Sequence, residues 1–174
     1  MSIAERIFYR NLYRQAKKSR SFPDFEKVKT VLLVFESDAE ERNTQIMQLA
    51  KELREAGKKV MAWGYTDKKK ALTQATGSLR ILSREDFGWF QRMKKEILTT
   101  LRANRYDLLI DLSLHNDLPT RYMALWADAS FKTGRHTGEE HYIHDFMIEL
   151  PEGRDAAYLF DQIIYYLKNI GSND

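Results

Sequence analysis

At 174 residues, 43% hydrophobic and 12% aromatic, the chain can bury the core of one domain and is too apolar to be disordered throughout. It has no cysteine, which excludes a disulfide framework, a thiolate metal site and a cysteine nucleophile. The net charge of +3 is uneven: residues 1–20 carry +5 and the remainder −2, so a general nucleic-acid-binding surface is not expected.

Ile3 to Lys18 reads as a helix, with Ile3, Ile7, Phe8, Leu12 and Tyr13 as an apolar stripe. Arg6, Arg10, Arg14, Lys17, Lys18 and Arg20 fill the rest, against Glu5 alone. Such a helix either packs on the domain with a solvated basic face or lies on an anionic membrane surface. The segment has no apolar signal-peptide core, and no run in the chain approaches the roughly 20 residues that span a bilayer. A soluble, cytoplasmic protein is expected, in which residues 1–22 form the basic helix and residues 23–174 one α/β domain.

After the connector around Pro23, Lys29 to Phe35 is the first strand. Ser37-Asp38-Ala39-Glu40 fits a capping box that opens a helix with Ile46, Leu49, Ala50, Leu53 and Ala56 inward, and Gly57 suits its end. Val60 to Gly64 follows as a strand, so strand, helix and strand make a parallel βαβ unit. Lys68-Lys69-Lys70 reads as a solvated loop face, and Leu79 to Leu82 as a third strand. A helix that starts at Ser83-Arg84-Glu85-Asp86 and is ended by Asn104 would carry Phe87, Phe90, Met93, Ile97, Leu98 and Leu101 inward.

Tyr106 to Leu112 is an apolar run bounded by polar residues, the pattern of a strand buried on both faces of a parallel sheet. Asp117 or Thr120 caps the next helix, with Pro119 in its first turn. Ala129 to Thr133 is a fifth strand, Arg135 to His141 a loop, Tyr142 to Leu150 a sixth strand at the sheet edge, and Asp155 to Ile170 a last helix. The expected fold is a single-domain, Rossmann-like three-layer sandwich around a mainly parallel sheet of about six strands.

Tyr106-Asp-Leu-Leu-Ile-Asp-Leu112, then Tyr122-Met-Ala-Leu-Trp-Ala-Asp-Ala-Ser130, then Phe131-Lys-Thr-Gly134-Arg135, is similar to the N-terminal, Rossmann-like half of lipopolysaccharide heptosyltransferases. The whole chain also resembles a small uncharacterised bacterial family of this length. The first resemblance implies a shared fold without the donor-binding second domain. Those enzymes follow the first strand with a glycine-rich loop and an acidic catalytic residue. Phe35-Glu36-Ser37-Asp38-Ala39-Glu40-Glu41 has no glycine, so Asp38 inherits no role from them.

In open parallel sheets ligands lie outside the carboxyl ends of the strands. Glu36, Asp38, Glu40 and Glu41 crowd one such end and would repel a phosphate, and neither G-x-G-x-x-G nor a P-loop is present. Asp111, Ser113, His115, Asn116 and Asp117 form the richest polar cluster. Serine beside histidine and aspartate is the material of nucleophilic catalysis, and alternation could set Asp111, Ser113 and His115 on one face. Arg121 and Arg135 could hold an anion near the strand ends. His115, His136, His141 and His144, with Glu139, Glu140 and Asp145, contain nitrogen and oxygen donors, but no metal motif is present and surface histidines are expected. Trp89-Phe90 and Tyr165-Tyr166 read as core aromatics.

The candidate ligand-binding set is Asp38, Asp111, Ser113, His115, Asn116, Arg121 and Arg135. The leading expectation is a non-enzymatic binding or interaction module with no cofactor and no metal, whose partner is a protein or a small molecule. One alternative is an enzyme acting on a sugar or phosphorylated metabolite at the ends of the first and fourth strands. Another is a membrane-peripheral protein that uses residues 1–20, and self-association through the same stripe stays open.

Overall fold

The apolar runs of the chain pair as neighbours in one parallel sheet. The computed structural model describes residues 3–15, 21–69, 76–138 and 143–170. Its strands are β1 (Thr30–Glu36), β2 (Lys59–Tyr65), β3 (Leu79–Leu82), β4 (Arg105–Asp111), β5 (Asp128–Arg135) and β6 (Phe146–Ile148), in the spatial order β3-β2-β1-β4-β5-β6. Every pairing between these strands is parallel. The chain is thus a single-domain α/β protein with Rossmann strand order.

Parallel strands need helical crossovers, which cover both faces and make the central strands apolar throughout. The helices are α1 (Ile3–Gln15), α2 (Glu40–Glu55), α3 (Lys95–Arg102), α4 (Leu118–Trp126) and α5 (Ala156–Ile170). Val31, Leu33 and Phe35 of β1 and Leu108 and Ile110 of β4 pack with Ile46 and Leu49 of α2 and Phe160 and Ile163 of α5. The alternate residues Leu32, Val34 and Leu109 pack with Ile97 and Leu101 of α3 and Met123 and Ala124 of α4. The same alternation turns Glu36 and Asp111, the last residues of β1 and β4, towards the α3/α4 side. Gly64 in β2 leaves room for the Phe35 ring, whose Cζ would lie 2.7 Å from an added Cβ.

Two polar staples hold the amino-terminal ends of the strands. Asp107 of β4 accepts hydrogen bonds from Lys29 N (2.8 Å), Thr30 N (2.9 Å) and Thr30 Oγ1 (3.1 Å), pinning β1 to its neighbour. Burial pushes the Asp107 carboxyl up, but these bonds together outweigh it and hold its pKa below the ordinary value. Lys58, at the start of β2, donates to Phe25 O (2.8 Å) and Val28 O (2.9 Å) and so ties down the connector after Pro23.

The basic helix docks on the domain. Phe8 of α1 is fully buried against Tyr122 and Leu125 of α4, and its ring meets Tyr122 edge-on at 5.1 Å. Arg6 and Arg10 stay exposed. The side chains of Leu12, Tyr13 and Arg14, and residues 16–20, lie outside the described residues. Among those described, no helix is long and apolar enough to cross a membrane.

Several local expectations are corrected. Ser37 does not cap α2: it is fully buried, its N–H donates to Tyr65 O at 2.6 Å, and Ala39 is the N-cap without a side-chain bond. The helix expected from Ser83 to Asn104 is broken into 3₁₀ turns at Arg84–Asp86 and Trp89–Gln91, followed by α3. An antiparallel bridge between Phe87 and Met93 folds the chain back there, with Gly88 at the bend and Gln91 at φ 54°. Ser83, rather than opening a long helix, shares a reciprocal capping box with Asp86. β5 runs on through Gly134 and Arg135, and β6 is only three residues, though at the sheet edge as expected. Trp89 is 88% exposed and Tyr165 58%, so neither is a core aromatic. Lys70, Tyr142 and the side chain of Phe90 lie outside the described residues.

Candidate functional site

In this strand order the chain direction of the crossovers reverses between β1 and β4, which opens a crevice at their carboxyl ends. Both strands deliver a carboxylate to it: Val34 pairs with Asp111, so Glu36 lies two residues further along β1.

Glu36 is the carboxylate from β1. Its side chain is 4% exposed. Leu114 N donates to Oε2 at 2.9 Å and His115 N to Oε1 at 2.6 Å, so the loop after β4 wraps both oxygens. The His115 ring nitrogen Nδ1 stands 3.3 Å from Oε2, and an Arg42 guanidinium nitrogen 3.8 Å from it. Burial raises the Glu36 pKa, and the two backbone bonds offset that only in part. Two consecutive backbone N–H groups at a strand end commonly cradle an external anion. Here they hold one supplied by the protein.

Asp111 is the carboxylate from β4. Its Oδ1 accepts the Ser113 N–H at 3.0 Å, and its Oδ2 lies 3.0 Å from His144 Nε2. The two side chains are 7% and 10% exposed. His144 is set by its neighbour: Lys132 N donates to Asp145 Oδ2 (2.8 Å) and Asp145 N to Lys132 O (2.7 Å), which clips the segment before β6 onto β5. The ring then lies over Gly134, where an added Cβ would sit 2.7 Å from Nε2.

Asp111, Ser113, His115, Asn116, Arg121 and Arg135 are brought together around a small cavity of about 30 Å³, lined also by Thr120, Thr137, Met147 and His144. Its enclosed part is of the order of a water molecule or two, and the exposed His115, Asn116 and Thr137 leave it open to solvent. Asp38 is not among them. It is half-exposed, 4.0 Å from the Arg42 guanidinium, in an adjoining open cleft of about 410 Å³ shared with Glu36, Tyr65, Asp67, Arg84 and Asp117. His115 borders both spaces.

The serine–histidine–aspartate relay read around His115 is not assembled. Ser113 Oγ is buried without a hydrogen-bond partner among the described residues, and the histidine on Asp111 is His144. His115 turns instead to Glu36 and is 65% exposed. Arg121 is largely buried, its guanidinium 4.4 Å from the Phe8 ring centre and 5.4 Å from that of Tyr9, so it also anchors α1.

Glu36 and His144 are the residues that sequence reasoning missed. A carboxylate after a strand looked like a helix-terminal charge, and its bonds reach residues 78 and 79 positions away. For His144 a signal existed. A glycine inside a strand marks close approach by another group, and Gly134 is that glycine.

Among the described residues no group of three histidine, aspartate or glutamate side chains could hold a metal ion. His136 is exposed, and Glu139, Glu140 and His141 lie outside the described residues. No curated protein and no solved structure matches the chain, so the likeness of residues 106–135 to heptosyltransferases gains no support. A model of a family of unknown function, DUF6913, matches residues 2–170, and the chain belongs to that family.

Proposed function

We propose that this protein is a small-molecule-binding module whose ligand, a hydroxyl-rich metabolite, lies in the crevice at the ends of β1 and β4. The observation that carries this reading is the pairing of an open cleft of about 410 Å³, lined by Glu36, Asp38, Asp67 and Asp117, with a smaller polar cavity across His115. A cleft of that size suits a metabolite, and carboxylates at its wall accept hydrogen bonds from sugar-like hydroxyls. The position agrees with the rule that open parallel sheets bind ligands where the strand order reverses.

A thermal-shift screen against sugars, sugar phosphates, nucleotides and nucleotide sugars tests it. A ligand specific for the folded state stabilises by about 2.7 kcal/mol at one hundred times its dissociation constant. A saturable rise that Asp38→Asn weakens supports the reading. No rise with any of these classes counts against it and favours a protein partner.

The Asp111–His144 contact supports a second reading, catalysis, because a carboxylate and an imidazole 3.0 Å apart beside a cavity form a proton-transfer pair. Turnover of a bound ligand that His144→Asn abolishes while leaving its affinity intact would establish it. The burial of Phe8 against α4 takes one residue of the stripe away from a lipid surface and so weighs against a membrane role for α1, while Ile3 stays exposed.

A further inference from the structure

Deepening the ligand-binding reading, and resting on it for the remainder of the ligand, we infer that the cavity between the end of β4 and the first turn of α4 seats a tetrahedral oxyanion, the phosphoryl group of a phosphorylated ligand.

Two buried polar atoms there lack a hydrogen-bond partner among the described residues. Ser113 is 7% exposed, lines the cavity, and its Oγ makes no hydrogen bond. Arg135 lines it from the last position of β5, and its buried Nε makes no hydrogen bond either. Unmet donors at a buried site cost stability unless something accepts from them. A hydroxyl and a guanidinium N–H both donate, so the group that completes them is an acceptor, and beside a guanidinium an anionic one.

The helix end agrees. α4 spans nine residues, and Asp117 at its N-cap makes no side-chain capping bond. The N–H groups of its first turn are therefore not capped by that side chain. Thr120 and Arg121 of its first turn line the cavity. Charge agrees as well. Among the described lining residues Arg135 is a cation beside one carboxylate, Asp111, whose oxygens are already bonded by Ser113 N and His144.

The neighbouring strand end makes the contrast. After β1 the corresponding place is filled by Glu36 and rimmed by acids, so an external anion is repelled there. The sheet thus offers a hydroxyl-binding acidic cleft and, one strand over, a basic seat, with His115 between them.

The test is a set of ¹⁵N NMR titrations with inorganic phosphate, glucose 6-phosphate and glucose at constant ionic strength. Phosphate is expected to shift the amides of Ser113, Thr120 and Thr137 saturably, and glucose 6-phosphate to bind more tightly than either phosphate or glucose. Arg135→Gln should weaken phosphate binding by about tenfold through loss of a charged donor. Ser113→Ala, which removes an unpartnered hydroxyl and so should leave folding intact, should weaken it by about threefold. Lys51→Gln, far off on α2, should leave it unchanged. Absence of saturable shifts in the wild type, or equal binding by Arg135→Gln and Ser113→Ala, overturns the seat. If glucose still shifts amides around Glu36 and Asp38 while phosphate shifts none, the seat falls and the ligand-binding reading stands. If no titration shifts either region, both fall.

Discussion

The imidazole of His144 occupies the volume that a side chain at position 134 would need, with Nε2 only 2.7 Å from where that Cβ would be. Gly134 lies within β5, where backbone cannot give way easily, so the ring must move if a methyl is added. Gly134→Ala should therefore separate His144 from Asp111 and destabilise the protein by about 1–3 kcal/mol through overpacking. Chemical denaturation measures this. In the Gly134→Ala, His144→Ala double variant most of the loss should disappear, since the ring that clashes is gone. Additive losses would show that the glycine matters for another reason.

Glu36 should contribute to stability with a sign opposite to that of most carboxylates. Its folded pKa is raised by burial. A raised group contributes stability that is fully present below its unfolded pKa, about 4.3, and is lost as pH rises through the folded value. The stability of the wild type relative to Glu36→Gln should therefore fall as pH rises from about 4 and then level off once Glu36 is ionised in both states. Denaturant titrations across that range check it. A difference that grows with pH would sink the assignment.

Asp107 should behave in the reverse sense. Its folded pKa is held low by the Lys29 and Thr30 donors against the effect of burial. A depressed group contributes stability above its unfolded pKa, about 3.9, and loses it as pH falls through the folded value. Asp107→Asn should cost about 1–2 kcal/mol at pH 7, because at least one of those bonds is lost. The gap between wild type and variant should close below about pH 4. The variant should melt at the same acidic pH as the wild type and at a lower temperature near neutrality.

Removal of the Phe8 ring should undock α1. The ring is fully buried between Tyr122, Leu125 and the Arg121 guanidinium. Phe8→Ala should cost about 3 kcal/mol, or less if α1 detaches before the rest of the fold opens. Limited proteolysis distinguishes these: selective cleavage of the amino-terminal helix from an otherwise resistant domain indicates local detachment.

What was legible in the sequence depended on how far apart the interacting residues lie. The runs Val31–Phe35 and Tyr106–Leu112 announce buried strands because their chemistry is local, and Leu79–Leu82 was read with its observed bounds. The long helix after Ser83 failed because the apolar spacing does not show that Gly88 is extended and that the chain turns back at Trp89–Gln91, with Gln91 at positive φ. The Ser37 cap failed because the pattern says nothing of burial, and Ser37 is locked into the sheet through Tyr65. At the candidate site Asp111, Ser113, His115, Asn116, Arg121 and Arg135 do gather, whereas Asp38 stands apart. The partners that define their states, His144 on Asp111 and the 114–115 amides on Glu36, depend on β4 lying between β1 and β5. No local pattern encodes that neighbourhood.

The two outermost strands are also the shortest, four residues in β3 and three in β6. An incoming chain that sought to extend the sheet would find hardly one repeat of the ladder on either side, too little to hold it. Edge-to-edge polymerisation is thereby blunted at both ends of the architecture. Copies of this protein that associate would have to meet through their helical faces, where complementarity of side chains rather than backbone pairing decides who binds.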